Sequence, residues 1–388
     1  VVRFRLAFGF VAACAIASPA SAQEQRPNIV VIVADDLGYS DIGIMGSEIP
    51  TPHLDALAKD GHLFTQMYSS PLPISRSTLL TGADHHLVGY GAMGPASGNQ
   101  VGKPGYERHL NDRAVTIAQL LQDGGYRTYM TGTWGLGFGL EHGPQAFGFE
   151  SSYAIIEAAV DYYASEPHRL HPMEGPTFRE NGRVVASPEG YTTNVFTGKM
   201  LGFIDAHKGD GKPFFAYLSY TAPHFPLQAP DVDIARNKGK YNAGYDAVRL
   251  ARIARQKASG IVPPAMRPAH PVPAASGYKT WESLSAEEKR IEARRMEVYA
   301  AMVEVLDRNV GRVIAHLKAN GLYDNSLILF TAGNGAAGFW PSRRKAEHLD
   351  NSLDNMGRRH SWISYSERWA EVSNAPHARW KDTMFEGG

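Results

Sequence analysis

Three observations in the sequence predict an α/β fold with one large mixed, mostly parallel sheet flanked by helices. Apolar, largely β-branched or aromatic runs recur at Ile29 to Val33, Phe214 to Tyr220 and Leu327 to Phe330. They are too continuous for a strand with one wet face and suit strands buried on both sides. Segments with helical spacing alternate with them, the pattern of a sheet covered by helices. The first and last runs end in polar residues, Asp35-Asp36 and Gly333-Asn334, and open parallel sheets bind their ligands beyond the carboxyl ends of the strands.

The elements follow in order. After the first strand, Thr51-Pro52 opens a helix by capping and by proline in the first turn; Leu54, Leu57 and Ala58 supply its apolar face and Gly61 closes it. A helix is expected at about Val115 to Leu121 and a strand at Arg127 to Thr131. The strand at Phe214 to Tyr220 runs into Thr221-Ala222-Pro223-His224. Ser285-Ala286-Glu287-Glu288 is a capping box for a long helix whose apolar face includes Ile291, Met296, Tyr299, Met302 and Leu306. Between Asp231 and Tyr278 the chain is polar and contains Pro and Ala, and Pro263 to Pro273 is expected to be a loop or lid connection. No internal repeat is visible.

Composition narrows the function classes. The chain has 388 residues, 43% hydrophobic and 20% charged, with 39 Gly and 24 Pro, so it is expected to be globular and rich in turns. Lys plus Arg and Asp plus Glu balance at 39 each, which gives no electrostatic argument for a nucleic-acid partner or an anionic membrane.

Residues 1–22 carry Arg3 and Arg5, an apolar stretch from Leu6 to Ala17 broken by Gly9, and Ala20-Ser21-Ala22. This is the order of a secretory leader, so a secreted or periplasmic protein is expected, with residues 23–388 as the α/β domain. Val11-Ala12-Ala13-Cys14 also resembles a lipoprotein box, a minor alternative. The apolar stretch is too short to span a bilayer, which takes roughly 18 or more residues. Cys14 is the only cysteine, so cleavage after Ala22 leaves no disulfide to support the domain.

Several segments carry a family resemblance. They are Pro27 to Gly38, Thr51 to Phe64, Ser75 to Gly89 with Asp84-His85-His86, Met130 to Gly137, Ala222 to Pro230, Phe330 to Gly335 and Lys381 to Gly388. In this order they resemble the type I sulfatases, closest to bacterial arylsulfatases of the alkaline-phosphatase-like superfamily. The resemblance implies hydrolysis of small sulfate esters. It also implies that Asp35 and Asp36 bind calcium, that Arg76 holds the nucleophile helix, that His224 contacts the sulfate and that Lys381 lies near the leaving ester oxygen. Read without the family, an acidic pair at a strand end is a cap or turn, and an arginine at a helix start is a structural ion-pair donor.

The departures from the family fall on chemistry. The family's cysteine, four residues before the arginine and oxidised to formylglycine, corresponds to Leu72, or to Pro71 if the motif proline is Pro73. Neither side chain can attack sulfur. The family's lysine and histidine in Gly-Lys-Trp-His-Leu-Gly correspond to Thr133 and Gly135, and the Asp of its second calcium-binding pair to Gly333, leaving Asn334. A cation and a proton carrier are lost, and calcium, whose affinity depends on ligand charge, is expected to bind more weakly.

The function expected is therefore that of an arylsulfatase-type protein with impaired or absent turnover. A non-catalytic exported anion-binding scaffold and, less favoured, a phosphate or phosphonate ester hydrolase are the alternatives. Because the chain stops soon after Lys381, where the family continues, a C-terminal subdomain is expected to be missing.

Overall fold

A computed structural model describes residues 26–69, 74–92, 94–156, 161–163, 177–271, 277–338, 349–381 and 383–387. Seven strands form one sheet: β1 (Asn28–Asp35), β2 (Arg127–Thr133), β3 (Ser151–Ile155), β4 (Phe178–Glu180), β5 (Arg183–Val185), β6 (Phe214–Pro223) and β7 (Ser326–Ala332). Their order is β5-β4-β3-β2-β6-β1-β7. The strands from β3 to β7 across the centre run parallel, and the short β4 and β5 add an antiparallel edge.

In β1 and β6 the continuous apolar runs are explained by burial on both faces; β7, at the sheet edge, departs from that expectation, packing Ile328 and Phe330 on one cluster while Leu327 and Leu329 are exposed. Along β1, Val30, Ile32 and Ala34 enter one core cluster while Val31 and Val33 enter the other. Along β6, Ala216, Leu218 and Tyr220 face the first cluster, and Phe215 and Tyr217 the second. Alternate side chains thus serve opposite faces, and every position must be apolar.

The helices are α1 (Pro52–Asp60), α2 (Ile74–Thr81), α3 (Ile117–Asp123), α4 (Thr192–Ala206), α5 (Asp231–Asn237), α6 (Tyr245–Ala258), α7 (Ala286–Ala319) and α8 (Glu367–Ser373). On the first face α7 and α4 pack against the sheet; on the second α3 packs against β2. The box expected at the start of α7 is present: Glu288 N donates to Ser285 Oγ at 3.2 Å, and Ser285 N donates to Glu288 Oε2 at 2.8 Å. A second box begins α3, where Thr116 and Gln119 exchange bonds of 3.2 and 2.8 Å.

The expected cap of α1 also changes. Thr51 does not cap α1; its hydroxyl accepts from Gly43 N and pairs with Asp55. The first amides of α1 are met from a distant element instead, with Asp307 Oδ1 on α7 accepting from His53 N at 3.1 Å and Leu54 N at 2.8 Å. The polar stretch after Asp231 carries two helices not expected from the sequence, α5 and α6, while the described residues 263–271 form a loop as expected. In α6 the buried residues include Arg252 and Gln256 while Leu250 is exposed. Polar residues sharing the buried face with Tyr245, Val248 and Ile253 dilute the hydrophobic periodicity of this helix.

Candidate active site at the carboxyl ends of the central strands

β1, β6 and β7 lie side by side, so their ends deliver residues to one place. β1 supplies Asp35 and leads into Asp36; β6 leads into His224; β7 leads through Gly333, whose amide donates to Ala34 O at 2.9 Å, into Asn334. The pairing of β1 with β6 shifts register between Val33 and Asp35, a local irregularity that re-aims side chains at the end of a strand. Helix α2 adds Arg76, and the chain after α8 adds Lys381.

These six side chains are buried together. Arg76 Nη2 lies 2.9 Å from Asp35 Oδ2, and its Nε donates to Ser219 Oγ on β6 at 3.0 Å. Lys381 Nζ and Asn334 Nδ2 each donate to Asp36 Oδ1 at 2.7 Å. His224 Nε2 is 3.5 Å from Asp36 Oδ2. The Nδ1 of His224 lies 2.6 Å from the Phe225 carbonyl, which can only accept, so Nδ1 carries the proton and Nε2 faces the carboxylates. The carbonyl of His224 itself accepts from the Tyr162 hydroxyl at 2.8 Å.

The two carboxylates are not equivalent. Burial, partly offset by His224 and Arg76 and reinforced by the neighbouring Asp36 charge, raises Asp35 above its ordinary value. Burial acts on Asp36 too, but His224, Lys381 and the Asn334 amide outweigh it and bring Asp36 down. Within these six side chains, Asp35 Oδ1, Asp36 Oδ2 and Arg76 Nη1 are buried and have no hydrogen-bond partner. Buried polar atoms are costly to leave unpaired, and such a group of acceptors beside a donor is suited to a cation with an anion next to it. Asp35, Asp36 and His224 each place one ligand atom within 4.8 Å of the others, so these are the residues that could hold a metal ion. Asn334 directs its amide nitrogen at Asp36, and acting as a ligand through its oxygen requires that amide to turn.

A family model for Sulfatase matches residues 27–355. The chain belongs to the sulfatase family. It is 40% identical over 386 residues to an uncharacterised sulfatase of Schizosaccharomyces pombe, covering 95% of this chain and 69% of the relative. It is also 40% identical over 378 residues to an arylsulfatase of Klebsiella aerogenes, covering 95% of this chain and 80% of that one. Among solved structures it is similar to Ps i-CgsB in complex with k-i-k-neocarrahexaose, at 27% identity and a TM-score of 0.63 over 94% of this chain. The match covers 64% of that structure's chain, so this sulfatase-family chain spans just under two thirds of its length.

Within this sulfatase fold, the positions expected to depart from the family can be placed, apart from Leu72 and Pro71, which lie outside the described residues. Thr133 ends β2, fully buried, with its hydroxyl 2.8 Å from that of Thr221. Gly135 contributes only backbone, its carbonyl accepting from the Tyr90 hydroxyl at 2.8 Å.

Sequence reasoning missed the layer beneath the aspartates. Asp36 has a left-handed backbone, φ 64°, which costs energy for a residue with a Cβ and persists only when its surroundings hold it. The Tyr299 hydroxyl lies 3.1 Å from the Asp36 carbonyl and 2.6 Å from Asp41 Oδ2. Asp41 Oδ2 also accepts from Gly38 N at 2.8 Å, and Asp41 Oδ1 from the fully buried Arg252 at 2.6 Å. Arg252 completes the layer with a two-pronged contact to Glu48 at 2.8 and 2.9 Å. The Asp-x-x-x-x-Asp spacing from Asp36 to Asp41 carries no signal for this, and Arg252 lies far away in sequence.

Proposed function

We propose that this chain binds the sulfate group of a small sulfate ester, of aryl type, beside a calcium ion at the Asp35–Asp36 cluster, and that its turnover of such esters is impaired. The observation that carries the binding reading is the buried set of unpaired atoms, Asp35 Oδ1 and Asp36 Oδ2 as acceptors and Arg76 Nη1 as donor. The 40% identity to an arylsulfatase supports the ester class. Calcium, a hard ion that prefers oxygen ligands, would supply positive charge to offset that of a bound sulfate.

The protein's own groups do the rest. Arg76 is anchored by Asp35 and Ser219 through two of its nitrogens, leaving Nη1 in a fixed orientation toward an anion. His224 presents Nε2 from a ring fixed by the Phe225 carbonyl. Lys381 adds a second cation, partly neutralised by Asp36. The impairment reading rests on Leu72, which offers no nucleophile, and on Thr133 and Gly135, which offer neither a cation nor a proton carrier. Loss of an attacking group alone costs on the order of a millionfold in turnover. The leader-like residues 1–22 support export of the protein.

Calorimetry with sulfate in the presence of calcium, together with an aryl sulfate assay on protein produced alongside a formylglycine-forming enzyme, tests both parts. Binding that Arg76→Ala abolishes, with no measurable turnover, is the expected result. No binding of sulfate or calcium overturns the site; turnover at the rate of an intact sulfatase overturns the impairment.

A further inference from the structure

The segment Asp84-His85-His86 lies after α2 and forms a second metal-ligand group, separate from that of Asp35, Asp36 and His224. We propose that it is a surface site for a borderline divalent transition ion of the zinc class. The inference is independent of the sulfate-ester reading.

The geometry of the turn carries it. One ligand atom from each of the three residues lies within 4.8 Å of the others. Around a tetrahedral zinc ion with bonds near 2.1 Å, ligand atoms sit about 3.4 Å apart, so small side-chain rotations bring the three together. His85 is already oriented as a ligand: its Nδ1 lies 2.9 Å from the Tyr90 carbonyl, which can only accept. The Nδ1 proton is therefore committed, and Nε2 presents a lone pair. Fixing a ring through its other nitrogen to a carbonyl is the usual support of a metal-bound histidine.

The other two ligands are set by the same turn. Asp84 Oδ1 accepts from His86 N at 2.9 Å and lies 3.5 Å from His86 Nδ1. The two imidazole centroids are 4.2 Å apart, and the His86 and Tyr106 rings form a T-shaped pair with centroids 5.7 Å apart. Backbone bonds from Val88 N to Asp84 O and from Tyr90 N to His85 O, at 3.3 and 2.7 Å, close the turn. Gly89 permits it with φ 98°, where an added Cβ would stand 2.2 Å from the His109 carbonyl.

The donor set selects the ion. Two imidazoles and one carboxylate suit zinc, nickel or copper, whereas calcium and magnesium prefer oxygen alone. Side-chain exposures of 51% for His86 and 70% for Asp84 leave room for water to complete the coordination. Since the turn directly follows the helix that carries Arg76, a bound ion would tie down the carboxyl end of that helix.

Zinc titrated calorimetrically into the whole chain, with calcium in excess to occupy the carboxylate cluster, tests the proposal. One zinc site is expected, weakened at least tenfold by His85→Ala and by His86→Ala and unchanged by His224→Ala. Equal zinc affinity in wild type and His86→Ala, a substitution of a half-exposed side chain outside the core, overturns it. So does loss of the site in His224→Ala, which would place the zinc in the carboxylate cluster instead.

Discussion

The hydroxyl of Tyr299, on the long helix α7, lies 3.1 Å from the carbonyl oxygen of Asp36, at the end of the first strand. It thereby grips the backbone of the one site residue held in the left-handed region. Tyr299→Phe keeps the ring and its stacking on Tyr365, 4.4 Å between centroids, and removes the hydroxyl's contacts to the Asp36 carbonyl and to Asp41 Oδ2. For the calcium ion proposed at this site, affinity is expected to fall about 10-fold to 100-fold, the usual effect of losing a group that orients a ligand. Unfolding free energy should drop by only about 1–2 kcal/mol. Unchanged calcium binding by calorimetry would remove Tyr299 from any positioning role.

The layer beneath the site predicts an acid-sensitive stability. Burial opposes the charge on Glu48, but Arg252 outweighs it and brings the carboxyl from 4.5 down to about 2. A depressed folded-state value stabilises the protein above the unfolded value and ceases to do so below the folded one. The contribution should therefore be complete above about pH 4.5 and vanish by about pH 2, amounting to roughly 3 kcal/mol at most. Glu48→Gln is expected to flatten the loss of stability across that window. Urea melts at several pH values give the two slopes, and identical slopes would contradict the assignment.

Gly132 is required by close approach between β2 and β6. It has φ 106°, and an added Cβ would stand 1.9 Å from the Ser219 carbonyl. Gly132→Ala must therefore separate the strands beneath Arg76, whose Nε rests on Ser219. A loss of more than about 2 kcal/mol is expected in chemical denaturation.

The amino end of α1 depends on a carboxylate from α7. Burial pushes Asp307 up while the amides of Leu54 and His53 pull it back, so the carboxylate is held in place by that helix end. Asp307→Ala should cost about 1–2 kcal/mol, as loss of a helix cap does. Thr51→Val should leave the helix amides capped, since Thr51 bonds Gly43 and Asp55 instead. Equal effects of the two on the cap, read by amide exchange at Leu54, would show that Asp307 is not the cap.

Much of this architecture is legible in the chain. The runs at Ile29 to Val33 and Phe214 to Tyr220 are strands whose alternate residues fill opposite cores, whereas Leu327 to Phe330 lies in the edge strand β7, which packs Ile328 and Phe330 inward and leaves Leu327 and Leu329 exposed. The box at Ser285 and Glu288 is local chemistry and is found where expected. Helix α6 escaped notice because its buried face mixes Tyr245, Val248 and Ile253 with Arg249, Arg252 and Gln256 while Leu250 is exposed, which dilutes the pattern on which helix recognition rests. The cap of α1 escaped because its acceptor is 253 residues away from Leu54.

The sequence by itself determined the family, the sheet and the identity of the side chains at the strand ends, because hydrophobic periodicity and short motifs are local properties. Only the tertiary structure decided what those side chains do to one another. It placed Lys381 and Asn334 on the same oxygen of Asp36, across separations of 345 and 298 residues, and left one oxygen of each aspartate unpaired. It also set Arg252 and Tyr299 beneath the aspartates through Asp41. Partner choice among buried polar groups depends on which atoms the packed core brings within about 3 Å, and no local pattern in the chain encodes that distance.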